Sequence, residues 1–260
     1  MLKEEKEEKI YKIYNILFDT FGNQSWWPAE TCDEVIIGAI LTQQTSWKNV
    51  ERAIDSLKNA GVCSLSAISG IEDARLEMLI KSSGFYRQKA KRLKNIALYI
   101  IENYGSDYKE GLFGKDIQNI RSELLNLNGI GRESADSIIL YAASKPIFVI
   151  DAYTRRIFSR CGIIEDKDMD YDTLREIFEN SICVKFAKRI SAHGISKKFR
   201  LSCKFTYNSM SIDSKKLAAI YNEFHALIVK LGKDYCTSKA PKCSVCSIRS
   251  VCNSSIDLGG

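Results

Sequence analysis

The sequence predicts an all-α protein, and three observations carry that prediction. Apolar residues recur at three- and four-residue intervals in one segment after another, the spacing of amphipathic helices. The segments are separated by short loops punctuated by Gly61, Gly70 and Gly84 rather than by long coil. A chain of 260 residues with 45% hydrophobic content can also bury one or two cores.

Ile10, Ile13, Tyr14, Leu17 and Phe21 mark the first helix, which should end near Gly22. Trp26-Trp27-Pro28 follows it. Adjacent tryptophans cannot share one face of regular structure, and Pro28 holds its predecessor extended, so the pair reads first as a core anchor. Val35 to Leu41 is apolar nearly all round, which predicts a buried helix leading into the polar loop Thr42-Gln43-Gln44-Thr45-Ser46-Trp47. Further helices are marked by Val50, Ala53, Ile54 and Leu57, then by Leu76, Leu79 and Ile80, then by Ala90, Leu93, Ala97 and Ile101. Between Arg87 and Lys94 stand five basic residues and no acid, a pattern that suits a solvated helix face as well as a polyanion.

The stretch from Leu127 to Arg156 organises the rest. Ile117, Ile120, Leu124 and Leu125 before it keep helical spacing, as do Ala135, Ile138, Ile139 and Ala142 after its first turn. Gly129 and Gly131 therefore sit in a tight connection between two helices. A glycine pair there permits positive φ and close approach of a partner, and the outward N–H groups of the next helix suit a phosphate. An ordinary capped helix-helix turn would read the same way. Phe148-Val149-Ile150 is then a buried apolar run delivering Asp151, which is either a helix N-cap or a functional carboxylate, roles that are compatible.

Leu174, Ile177 and Phe178 suggest a further helix, and residues 181–212 carry seven Lys or Arg with no acid, His193 and Gly194 lying among them. That segment suits phosphate binding or a solvated loop. Leu217, Ile220, Tyr221, Phe224, Leu227, Ile228 and Leu231 restore a strong helical stripe.

Cys236, Cys243, Cys246 and Cys252 follow, spaced Cys-x6-Cys-x2-Cys-x5-Cys. Four thiolates in one turn-rich segment can close around a zinc ion or an iron-sulfur cluster. Cys32, Cys63, Cys161, Cys183 and Cys203 lack such spacing and read as buried apolar residues. No apolar run approaches the roughly 20 residues that span a bilayer, and MLKEEKEEK has no apolar signal core, so a cytoplasmic protein without disulfides is expected. The net charge of +6 is modest for this length.

LNGIGRESA followed by VIDAYTRRI resembles the helix-hairpin-helix, Gly/Pro loop and aspartate of the endonuclease III superfamily of DNA glycosylases. The cysteine spacing matches that family's cluster loop, and Gly84-Phe85-Tyr86-Arg87-Gln88-Lys89-Ala90 resembles its Gly-aromatic segment. The resemblance implies a barrel of about six helices over 31–144, carrying the hairpin. A second lobe would combine 1–30 with 145–260 and hold a [4Fe-4S] cluster on Cys236, Cys243, Cys246 and Cys252. Asp151 would lie between the lobes. It implies DNA contacts from the hairpin at Gly129, Ile130, Gly131 and Arg132 and from Lys239 and Lys242. Gln44, with Gln43 as the alternate, would fill the gap left by an extruded base.

The implied reaction is hydrolysis of an N-glycosidic bond in double-stranded DNA by a monomer, cytoplasmic and associated with the nucleoid. Asp151 would stabilise the oxocarbenium-like sugar. Members that also cleave the strand carry a Lys immediately after Gly-x-Gly-Arg, and this chain has Glu133 there. A carboxylate cannot form the imine, which implies a monofunctional enzyme unless another amine such as Lys145 substitutes. Ser-Trp-Trp-Pro and Ile-Leu-Thr-Gln-Gln-Thr-Ser-Trp look most like the 3-methyladenine glycosylases of endonuclease III type, with Trp26, Trp27 and Trp47 forming a base pocket. Oxidised pyrimidines and mismatched T or U are the alternative substrates, and a non-catalytic DNA-binding iron-sulfur protein is the alternative class.

Overall fold

A computed structural model describes residues 3–166, 168–192 and 213–255. Among the described residues there is no strand, so the all-α expectation holds. The helices are α1 (Lys3–Phe21), α2 (Cys32–Leu41), α3 (Trp47–Asn59), α4 (Leu65–Gly70), α5 (Asp73–Leu79), α6 (Tyr86–Tyr104), α7 (Tyr108–Gly111) and α8 (Ile117–Leu125). They continue with α9 (Arg132–Ser137), which runs on as a π turn (Ile138–Ala142), then α10 (Ala152–Arg160), α11 (Tyr171–Ala192) and α12 (Ser214–Asp234). Short 3-10 turns, Cys243–Val245 and Arg249–Val251, complete the cysteine segment. The chain divides into two compact units, Trp27–Lys145 and Met1–Trp26 with Pro146–Gly260.

In the unit Trp27–Lys145, α2 is the buried rod that its composition predicts: Ile36, Ile37, Ile40 and Leu41 are fully enclosed. Thr31 caps it by accepting the Glu34 N–H at 3.1 Å. Helix α4 packs on α6, and α3 closes on the 3-10 turn after α5. Helices α8 and α9 are pinned by an ion pair, Arg121 Nε donating to Asp136 Oδ1 at 2.6 Å, with both side chains buried. Breaking such a pair from one side leaves an uncompensated charge and costs about 3–5 kcal/mol. The basic stretch of α6 is not simply a solvated face, because Lys89 is only 1% exposed. Its ammonium donates to Leu41 O at 2.8 Å and Ser83 O at 2.7 Å, ending α2 on a fixed charge.

In the other unit, α1 packs on α11 and α12, and α10 packs on α12. The core is aromatic. Phe148 stacks on Phe178 with centroids 5.1 Å apart and meets Tyr221 edge-on at 5.7 Å, while Phe158 packs against Phe178 at 4.6 Å. Helix α11 reaches Ala192, further than the apolar spacing to Phe178 indicated, and takes in the first part of the basic stretch. His193, Gly194, Cys203 and the remainder of that stretch lie outside the described residues. No helix among the described residues is long and apolar enough to cross a membrane.

Candidate active site and nucleic-acid interface

The hairpin between α8 and α9 is closed by Ile130 N donating to Leu127 O at 3.1 Å. Its two glycines do different things. Gly129 has φ +88, and a Cβ there would stand 2.3 Å from Arg92 Cγ. Gly131 has φ −91, N-caps α9, and a Cβ would meet nothing within 4 Å. Of the two, only Gly129 uses the positive φ that a glycine pair permits. Ile130 turns its side chain inward at 6% exposure, so only its backbone is available outside, whereas Arg132 and Glu133 are exposed.

The loop Thr42–Ser46 separates the adjacent glutamines. Gln44 is exposed with φ +53, a region that non-glycine residues occupy only at some cost. Gln43 turns the other way, its amide donating to Gly129 O at 3.1 Å and Ser134 Oγ at 3.0 Å. The Arg92 guanidinium donates to the side-chain oxygen of Gln43, Oε1.

Asp151 is the N-cap of α10. Its Oδ1 accepts from Thr154 N at 2.7 Å and Thr154 Oγ1 at 2.8 Å. Its Oδ2 stands 3.6 Å from His225 Nε2 on α12. Burial pushes this carboxyl up, but His225 and the two Thr154 donors outweigh it and hold the group below its ordinary range. The run before it is anchored by Phe148 in the aromatic core and by Phe148 N donating to Glu179 Oε1 at 2.9 Å. The result is an ionised carboxylate whose position is fixed from both sides.

Trp27 and Trp47 meet edge-on with centroids 5.1 Å apart, and Trp27 also packs against Tyr141 at 5.0 Å. Both line a cavity of about 160 Å³ together with Pro28, Glu34, Glu51 and Asp55. Trp26 belongs to the other unit and is half-buried.

Cys236, Cys243, Cys246 and Cys252 line one cavity of about 160 Å³. Cys161, which spacing left as an ordinary apolar residue, is buried in the wall of the same cavity. Helix α10 ties this segment down: Arg156 donates to Cys236 O at 2.8 Å and Gly232 O at 2.9 Å. Arg160 donates to Cys236 Sγ at 3.1 Å and to the Thr237 carbonyl at 2.7 Å. Lys239 and Lys242 are exposed on the loop.

Sequence reasoning missed Lys89, Arg92 and His225 as site-building residues. The signal for His225 was present, a polar residue interrupting the apolar stripe of α12, but its partner is remote in sequence.

The chain is 45% identical over 251 residues to the "Putative DNA repair glycosylase MJ1434" of Methanocaldococcus jannaschii, spanning 96% of this chain and 99% of the relative. It is 28% identical over 165 residues to an endonuclease III of Thermotoga maritima, covering 60% of this chain and 73% of that one. Among solved structures it is similar to the Helicobacter pylori 3-methyladenine DNA glycosylase MagIII bound to 1,N6-ethenoadenine. That match has a TM-score of 0.67 and 28% identity over 90% of this chain and 98% of the other. A non-covalent endonuclease III-DNA complex matches with a TM-score of 0.71 at 17% identity, over 99% of this chain and 98% of that one, which shows the endonuclease III-like fold. Residues 37–182, over half the chain and including the hairpin and Asp151, match the family described as HhH-GPD superfamily base excision DNA repair protein; the chain belongs to that superfamily.

Proposed function

We propose that this chain, as a base excision repair DNA glycosylase of its superfamily, binds damaged duplex DNA and hydrolyses the glycosidic bond of alkylated purines without cleaving the strand. The observation that carries the reading is Asp151: a carboxylate kept below its ordinary pKa range and bound by two Thr154 donors, downstream of the hairpin in the sequence. Loss of the base leaves positive charge on the sugar, and a preorganised anion stabilises that charge without having to reorient. Asp151 also serves to orient the attacking water. The hairpin would grip the strand backbone through the N–H groups opening α9. Gly131 leaves room for such an approach, since a Cβ there would meet nothing of the protein within 4 Å. Gln44 would enter the space left by the extruded nucleotide, and Lys239 and Lys242 would add phosphate contacts.

Alkylated purines are cationic and leave readily, so they need aromatic capture more than a strong general acid. The paired Trp27 and Trp47 support that preference, as does the likeness to a 3-methyladenine glycosylase at 28% identity. Glu133 supports hydrolysis over imine formation.

The cysteine segment offers the donor set of a [4Fe-4S] cluster, with four thiols lining one cavity of about 160 Å³ and Arg160 donating to one sulfur. Cys236, Cys243, Cys246 and Cys252 would hold it. When bound, it supplies the cross-link that orders a terminus with few apolar residues of its own.

The test is incubation with alkylated, oxidised and mismatched duplexes, with and without alkali, and with borohydride on an abasic duplex. Cleavage of alkylated DNA only after alkali, with no borohydride trapping, is expected. Strong trapping would make a lysine the nucleophile and overturn the monofunctional reading; no product on any lesion would leave a DNA-binding protein without this chemistry. Glu133→Lys should trap if that position reaches C1'.

A further inference from the structure

We propose that Gln43 is a positioning residue that joins the loop of Gln44 to the hairpin, so that capture of the DNA strand at Gly129–Gly131 sets Gln44 for insertion. The proposal rests on the glycosylase reading above. Gln43 spends every part of its amide on this junction. Its N–H groups bond the Gly129 carbonyl at 3.1 Å and the Ser134 hydroxyl at 3.0 Å, one partner in the hairpin and one in the first turn of α9. Its oxygen receives Arg92. Arg92 in turn lies across the face of Gly129, where a Cβ would approach its Cγ to 2.3 Å. Arg92 and Lys89 are one turn apart on α6, and Lys89 holds the Leu41 carbonyl immediately before the loop at 2.8 Å.

The next residue after Gln43 is Gln44, exposed and held at φ +53. A backbone in that region persists only where its surroundings over-determine it. The surroundings are Lys89 before it and the Gln43-Arg92-Gly129 junction beside it. Two loops that are remote in sequence thus share one amide. A displacement of the hairpin by a bound phosphate is passed to the loop through Gln43 rather than through solvent, while a free loop would carry Gln44 in many orientations.

The test uses the full-length protein. Gln43→Glu keeps the acceptor for Arg92 but loses both donations; Gln43→Met loses all three contacts and is the check should the glutamate alone disturb folding. In free protein, followed by hydrogen exchange with the helical content checked by circular dichroism, either variant should raise exchange about tenfold in both 42–46 and 128–132. A rise confined to one segment would overturn the junction. On alkylated DNA, Gln43→Glu and Gln44→Ala should each slow single-turnover excision about tenfold, and the double variant should fall within about threefold of the slower single. Fully additive losses would overturn the coupling. Wild-type protein that excises nothing would remove the glycosylase reading and the insertion step with it, an outcome distinct from wild-type excision with additive variants.

Discussion

His225 Nε2 stands 3.6 Å from Asp151 Oδ2 while Thr154 occupies Oδ1, so the two oxygens of one carboxylate face two different helices. Asparagine can still cap α10, so Asp151→Asn should fold. Its single-turnover excision should drop on the order of a hundredfold with lesion-DNA affinity kept or improved, since removing an anion does not repel a polyanion. Full activity in this variant would reduce Asp151 to a helix cap. Because the carboxyl is held below its ordinary range, its contribution to stability is present above the unfolded value of about 4 and fades as pH falls through the lower folded value. Urea midpoints should show wild type losing its margin over Asp151→Asn in acid only.

The hairpin glycines should separate stability from binding. Gly129→Ala meets Arg92 and an unfavourable φ of +88 and should destabilise by about 1–3 kcal/mol. Gly131→Ala has open space and ordinary φ, so its melting should change by less than about 1 kcal/mol while duplex affinity weakens. Equal loss of stability in both would contradict the assignment of Gly131 to an external partner.

Lys89 should leave an alkaline signature. Burial, with a lesser push from Arg92, lowers its pKa from 10.5 to about 8. Between those values the unfolded chain holds a proton that the folded chain has released, so stability rises with pH across that window. The difference in urea midpoint between wild type and Lys89→Met should shift in favour of wild type from pH 8 upward. A constant difference would mean that Lys89 titrates normally.

The cysteine segment should be chemically loaded. Of its residues, Ile248 is the buried apolar one, at 2% exposure, which gives the turns little core of their own. Protein purified without oxygen should be yellow-brown with about four irons per chain, in keeping with a cluster held by four thiolates. Cys243→Ala should lower iron content and open 236–255 to proteolysis. Colourless protein with one zinc would refute the cluster.

Periodicity made the long helices legible: α1 ends at Phe21 before Gly22, and α12 spans the whole stripe from Leu217 to Leu231. Helices α4 and α7 are too short to show a period. Asp151 could be read as a cap because capping is local; its engagement with His225 could not, because that contact is made only by packing α10 on α12. The same holds for Lys89, whose carbonyl partners include one 48 residues away, and for Gln43, whose partners lie 86 and 91 residues on. A lysine among five basic residues looks solvated until the fold closes over it. Gly-x-Gly, finally, gives no hint of which glycine needs its backbone freedom and which needs only to be bare.

Helix α10 carries Asp151 at its first end and, through Arg156 and Arg160, the cysteine segment at its last turn. An α-helix turns its face by about 100° for every residue added. One insertion between Asp151 and Arg156 would therefore swing both arginines away from Cys236 or rotate the carboxylate away from His225. Side chains on the outer face of α10 are free to drift, but its nine-residue length is not.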